Sequence, residues 1–173
     1  DYLAFLRDCL TKNGVDVPFF TTDCNRACFF SGTLPGVWAA VNYRIESAEA
    51  IADLRRFQPE LPALVGEYWS GRAGYWGTPF HPRDPGPIAK AYRTALDLNA
   101  SVNFYMFCGG TNFGFFNGSK VLRPFDAAPD DPEKFHCITT SYDVNALVGE
   151  DGRPTEKYHA CRRELAERRG LPV

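Results

Sequence analysis

Apolar residues recur at intervals of three and four in some stretches of the chain and fill short unbroken runs in others. Tyr2, Leu3, Phe5, Leu6 and Leu10 form a first helical stripe, and Asn13-Gly14 supplies its stop. A second helix is predicted over residues 47–57, with Ser47 as N-cap, Ile51 and Leu54 on one face and Pro59 beyond the end. A third covers about 87–98. A fourth covers 155–169, where Thr155 offers a cap and Gly170-Leu171-Pro172 a stop. Between them, residues 15–22, 37–43, 61–68 and 101–107 are β-rich apolar runs bounded by Gly, Pro or Asn and too short for independent helices. Strands alternating with helices predict an α/β fold with a parallel sheet, either doubly wound or closed into a barrel. The runs are apolar at successive positions, so these strands are expected to be buried on both faces.

Composition narrows the class without changing that picture. The chain is 45% hydrophobic and 23% charged with a formal net charge of -2, which excludes a disordered chain, a collagen-like repeat and a basic nucleic-acid binder. Its 173 residues fit a single domain over 1–173 and fall short of the about 250 residues of a complete (β/α)8 barrel. No apolar run reaches the length of a membrane span, and neither a signal peptide nor an initiator Met is present. A helix is already under way at Asp1-Tyr2-Leu3, so residue 1 is expected not to be a natural N-terminus. The six cysteines form no CxxC pair, and His81, His136 and His159 are scattered; no metal or other cofactor is expected, and the thiols read as buried, with a disulfide or two. The triplets Asn99-Ala100-Ser101 and Asn117-Gly118-Ser119 are compatible with a secreted chain.

In parallel sheets of this kind, chemistry collects at the C-terminal ends of strands and on the loops that follow. Four segments qualify: Thr21-Thr22-Asp23, Asn42-Tyr43-Arg44, Glu67-Tyr68-Trp69 and Cys108-Gly109-Gly110-Thr111-Asn112. Glu67 stands out because Leu64-Val65-Gly66 leads a carboxylate into Tyr68-Trp69, with Tyr75 and Trp76 close behind. Sugar rings stack their apolar faces on such aromatics while carboxylates bind hydroxyls or attack the anomeric carbon. The plainer alternative is a strand-end Glu paired with an Arg, with Trp69 and Trp76 in the core. Asp23 is a weaker candidate of the same kind, and its plainer reading is a strand-end carboxylate bonding a loop amide. The Gly109-Gly110 segment lacks the Gly-Lys-Ser/Thr ending of a phosphate loop and reads instead as a tight turn beside a ligand or strand, with Asn112 as a hydroxyl binder. Arg55-Arg56, Arg162-Arg163 and Arg168-Arg169 lie among acids on helices, as solvated faces do.

Several strings taken together resemble glycoside hydrolase family 35, the β-galactosidases: Asp16-Val17-Pro18-Phe19-Phe20-Thr21-Thr22-Asp23, Gly66-Glu67-Tyr68-Trp69-Ser70-Gly71 with Tyr75-Trp76-Gly77, Ala100-Ser101-Val102-Asn103-Phe104-Tyr105-Met106-Phe107 with Gly109-Gly110-Thr111-Asn112-Phe113-Gly114, Thr140-Ser141-Tyr142-Asp143, and Glu150-Asp151-Gly152 followed by Pro154-Thr155-Glu156-Lys157-Tyr158. The resemblance implies a retaining exo-β-galactosidase with a (β/α)8 TIM barrel, of which this chain supplies a partial barrel, about strands five to eight with their helices. Glu67 matches the family's nucleophile. The acid/base Glu sits in an Asn-Glu-Tyr/Phe-Gly motif at the end of the fourth strand, and no such motif occurs here, so residues 1–173 alone are expected to be inactive, unstable or prone to associate. Tyr105 matches a family tyrosine beside the nucleophile, and Tyr142 the first tyrosine of a galactose-binding stretch; with Trp69 and Asn112 these are the expected substrate-binding residues. The implied partner is a β-galactoside or oligosaccharide, with no nucleic acid or membrane, in an extracellular, lysosomal or vacuolar setting. Val144 stands where the family has a second tyrosine and Arg72 where it commonly has tryptophan. Those departures keep two alternatives open: a non-catalytic carbohydrate-binding homologue, and a retaining glycosidase for another β-linked sugar.

Overall fold

Four parallel strands, neighbours in space in the same order as in the chain, form the sheet that frames the first half of the chain. The computed structural model describes residues 2–23, 29, 32–71, 73–79, 82–111, 116, 118–121, 135–142 and 146–172. In chain order the elements are α1 (Tyr2–Lys12), β1 (Phe20–Asp23), β2 (Trp38–Tyr43), α2 (Ser47–Phe57), β3 (Leu64–Tyr68), α3 (Pro85–Asp97), β4 (Ser101–Phe104), β5 (Ser119–Val121), β6 (Phe135–Cys137) and α4 (Glu156–Arg169). They divide into two compact units, residues 1–68 with 91–104 and residues 69–90 with 105–173.

The first unit carries the parallel sheet, and its core lies where β2 and β3 meet α2 and the end of α3. Ala39, Ala40, Val41, Ile51, Leu54, Val65, Tyr68 and Ala95 are fully buried there. Tyr68 is the hub: its ring lies 5.4 Å from Tyr43, 5.3 Å from Phe104 and 6.4 Å from Tyr92. Gln58, just past α2, ties that helix end to the sheet by accepting from the Ala39 amide at 2.9 Å and donating to the Ala39 carbonyl at 2.8 Å. Burial on both faces holds for the middle of the sheet only. The outer strands β1 and β4 alternate exposed and half-buried residues, because each pairs with one neighbour and one of its faces is uncovered. The apolar stripe of α1 is also open, with Tyr2 70% and Phe5 61% exposed and no residue of the helix buried.

Capping differs in one place from the sequence expectation. Ser47 is the first buried residue of α2, and the cap position falls to Glu46, which makes no side-chain cap bond to that helix. Its carboxylate turns back to accept from the amides of Ile45 at 2.9 Å and Arg44 at 3.2 Å.

The second unit holds α4 and an antiparallel hairpin that the apolar pattern did not reveal. β5 and β6 pair Ser119 with Cys137 and Val121 with Phe135, and Tyr75 bridges to Ile138 alongside. α4 starts and stops as expected. Thr155 accepts from the Tyr158 amide, and Gly170 takes the left-handed conformation at φ 63° while the Leu171 amide returns to the Ala166 carbonyl. Among the described cysteines, Cys9, Cys108, Cys137 and Cys161 are free thiols, and only Cys161 is buried, so the expectation of buried thiols holds for that one. Cys24 and Cys28 lie outside the described residues.

Candidate active site

Glu67 sits at the C-terminal end of β3, at the position where parallel sheets display chemistry, and the backbone there is irregular. Against β2 the register runs Val41 with Val65, then Asn42 with Glu67, then Tyr43 with Tyr68. Against β4 it runs Val65 with Val102, then Tyr68 with Phe104. The pair Gly66-Glu67 therefore faces a single residue on each side, Asn42 on one strand and Asn103 on the other. This is a β-bulge: one extra residue that bends the strand and re-aims the side chains beside it.

Glycine is required at the extra position. A Cβ on Gly66 would lie 2.6 Å from the Thr22 hydroxyl, 3.1 Å from the Ala40 Cβ and 3.2 Å from the Asn42 Oδ1. Thr22 donates to that same Asn42 oxygen at 2.8 Å, and Asn103 donates through Nδ2 to the Gly66 carbonyl at 3.0 Å. Asn42 is buried and shares a sheet face with Glu67, since partners in register project to the same side.

Asp23 belongs to the other face. Thr22 points toward Gly66, so its neighbours Thr21 and Asp23 project oppositely, the side on which Tyr43 meets Tyr68. The Asp23 Oδ1 presses so close to Gly32 that any Cβ there would collide with it. Its Oδ2 is buried without a hydrogen-bond partner among the described residues, and most of the loop that follows, residues 24–28 and 30–31, lies outside them. Burial raises the carboxyl above its ordinary range.

The other sequence-selected residues lie in the second unit. Tyr105 and Tyr142 are brought together, their rings 6.2 Å apart and edge to face. The turn at Gly110, with φ 66°, accounts for this, because its carbonyl accepts from the Tyr142 amide at 2.9 Å. Trp69 is held through its backbone, where Arg83 donates to its carbonyl at 2.9 Å. The next carbonyl, of the fully buried Ser70, accepts from Lys157 at 3.3 Å, and the Ser70 hydroxyl reaches the Met106 carbonyl at 3.4 Å. Asn112, Arg72 and Val144 lie outside the described residues.

Lys157, Arg83 and Asn103 escaped the sequence reading. The signal available for Asn103 was a polar residue interrupting the apolar run Ser101-Val102-Phe104. For Lys157 it was a cation among the small residues on the buried face of α4.

Lys157 gives a pH prediction. Burial, and then the adjacent Arg83 charge, push its ammonium from 10.5 down to about 8. Between those values the unfolded chain holds a proton that the folded chain does not, so this group makes stability rise with pH. Cys161 works in the opposite sense, because burial and then the Glu164 charge push its thiol from 9.0 up to about 12. It removes stability as pH rises between those limits. In a Cys161→Ala background the thermal midpoint should therefore climb from pH 8 to pH 10, and adding Lys157→Met should abolish the climb. Differential scanning fluorimetry across that range reads both.

The parallel sheet thus ends β3 in a bulged carboxylate, while the next residue, Tyr68, turns into the core. The family model of glycosyl hydrolases family 35 matches residues 1–168, and the chain belongs to that family, a TIM-barrel family of glycosidases. It is 36% identical over 171 residues to a beta-galactosidase of Xanthomonas manihotis, covering 98% of this chain and 28% of that protein. It is 34% identical over 176 residues to the human beta-galactosidase, covering 99% of this chain and 24% of that protein. The human beta-galactosidase-1-like protein 3 is 34% identical over 157 residues, covering 91% of this chain and 22% of that protein. The chain thus spans about a quarter of the length of the curated relatives it matches.

Proposed function

We propose that residues 1–173 belong to the catalytic (β/α)8 barrel domain of a retaining exo-β-galactosidase, with β1 to β4 as strands five to eight and Glu67 as nucleophile. The observation that carries this reading is the bulge that places Glu67 at the C-terminal end of β3. The outer strands of the sheet and the open stripe of α1 support a sheet that continues into a larger barrel.

In the proposed reaction, a Glu67 carboxylate oxygen attacks the anomeric carbon while the glycosidic C–O bond breaks and its electron pair passes to the leaving oxygen. A second carboxylic acid, outside these residues, protonates that oxygen. It then deprotonates a water, which displaces Glu67 and returns the sugar with its original β configuration. Trp69, Tyr105, Tyr142 and Asn112 are the proposed substrate contacts, with no metal or cofactor taking part. The proposed setting is extracellular or a lysosome- or vacuole-like compartment, and no described helix is long and apolar enough to cross a membrane.

The test is a panel of nitrophenyl glycosides offered to the full-length protein, with proton NMR of the first sugar anomer released. Preference for β-galactoside with β-galactose appearing first is the expected result. Turnover of a different β-glycoside moves the reading to another sugar. Glycan retention without turnover favours a binding homologue.

A further inference from the structure

We propose that Thr22, Asn42 and Asn103 are positioning residues for Glu67, acting through the Gly66 bulge. This rests on the reading of Glu67 as nucleophile and goes beyond it by assigning how its aim is fixed. A strand in register with both neighbours would alternate its side chains between faces. β3 departs from register toward both neighbours at the same two residues, Gly66 and Glu67, and an asparagine stands opposite the pair on each side.

Each asparagine supplies part of what a bulge lacks. An extra residue breaks the ladder and leaves backbone groups to be satisfied otherwise. The Asn103 Nδ2 answers the Gly66 carbonyl at 3.0 Å. On the other side, Thr22 and Asn42, joined at 2.8 Å, form a polar wall against which the Gly66 Cα rests, with room for a hydrogen and none for a methyl. The bulge is thus bonded from β4 and blocked from β1 and β2. Its two ordinary escapes, sliding back into register or rotating Gly66 outward, would respectively break the Asn103 bond and drive backbone into the Thr22–Asn42 pair. Glu67, the second residue of the bulge, inherits the fixed direction. Displacements of about 1 Å at a reacting group cost on the order of a hundredfold in rate, so the brace bears on chemistry more than on substrate affinity.

The experiment uses the full-length protein with Gly66→Ala, Asn103→Ala, Thr22→Val and Thr22→Ser, beside Glu67→Gln. The readouts are kcat and KM on nitrophenyl β-galactoside, and the rate at which a 2-deoxy-2-fluorogalactosyl fluoride labels Glu67. Gly66→Ala and Asn103→Ala should lower kcat about 10- to 100-fold with KM within about twofold. The labelling rate should fall in parallel, a change that loosened folding with an intact aim would not give. Thr22→Val should follow them, and Thr22→Ser, which keeps the hydroxyl, should stay within about twofold of the parent. If Gly66→Ala does not fold, Asn103→Ala and the Thr22 pair decide. Unchanged kcat and labelling in those variants, with Glu67→Gln inactive, overturn the brace and leave the nucleophile standing. Undiminished turnover by Glu67→Gln overturns the nucleophile itself.

Discussion

Replacing Glu67 by glycine in the full-length protein should lower turnover of nitrophenyl β-galactoside by about 10^4-fold or more, and added azide should restore part of it. The reason is specific to a nucleophile. Glu67 is the carboxylate at the end of β3, and removing it leaves a space beside the anomeric carbon that a small anion can enter. Azide arriving there attacks from the side Glu67 occupied, so the product is the α-galactosyl azide, of inverted configuration. No second displacement follows, because azide is not hydrolysed away. A group that only bound a hydroxyl would show a different pattern: a raised KM, little change in kcat and no azide adduct. Recovery of the β-galactosyl azide would point instead to an acid/base role for Glu67. Mass spectrometry and the anomeric coupling constant distinguish these results.

Much of this arrangement was legible in the sequence, and the remainder was hidden for physical reasons. The parallel sheet and the helices α1, α2 and α4 follow from periodicity together with Asn13-Gly14, Pro59, Thr155 and Gly170 as punctuation. α3 begins earlier than the apolar pattern suggests, at Pro85, because proline suits a first helical turn and the Asp84 carboxylate accepts from the Gly86 amide at 2.9 Å. β1 begins later, at Phe20, since Pro18 has no N–H to offer a neighbouring strand. Residues Ser119–Val121 and Phe135–Cys137 are too short and too polar to announce a hairpin. At the candidate site, Glu67 stood out because its chemistry lies in its own side chain, whereas the burial of Tyr68 in the core depends on rings from other elements. The importance of Gly66 was not legible, because it arises from the registers of two other strands, and no window along one strand contains that information. The same holds for Lys157, whose partner Ser70 lies 87 positions away.

The largest expected change in stability comes from Tyr68, immediately after the candidate nucleophile. Tyr68 is fully buried, and three rings meet it, those of Tyr43, Phe104 and Tyr92. Tyr92 and Phe104 also touch each other, with centroids 4.9 Å apart, so the cluster closes around the Tyr68 ring. Tyr68→Ala would open a cavity lined by strands on both sides and by α3, elements held in place by the sheet and unable to collapse inward. The loss should be about 3 to 5 kcal/mol, the usual range for truncating a buried aromatic. Hydrogen exchange at β2 and β3 amides in the full-length protein should then speed up about 10^2-fold or more. Tyr43→Phe provides the opposing control within the same cluster. Its hydroxyl is buried with no hydrogen-bond partner among the described residues, and burial pushes its pKa upward. Deleting that oxygen removes a desolvated polar atom and keeps the ring, so exchange at the same amides should stay level or slow. Acceleration of similar size in both variants would contradict the view that the cluster is held by ring packing around Tyr68.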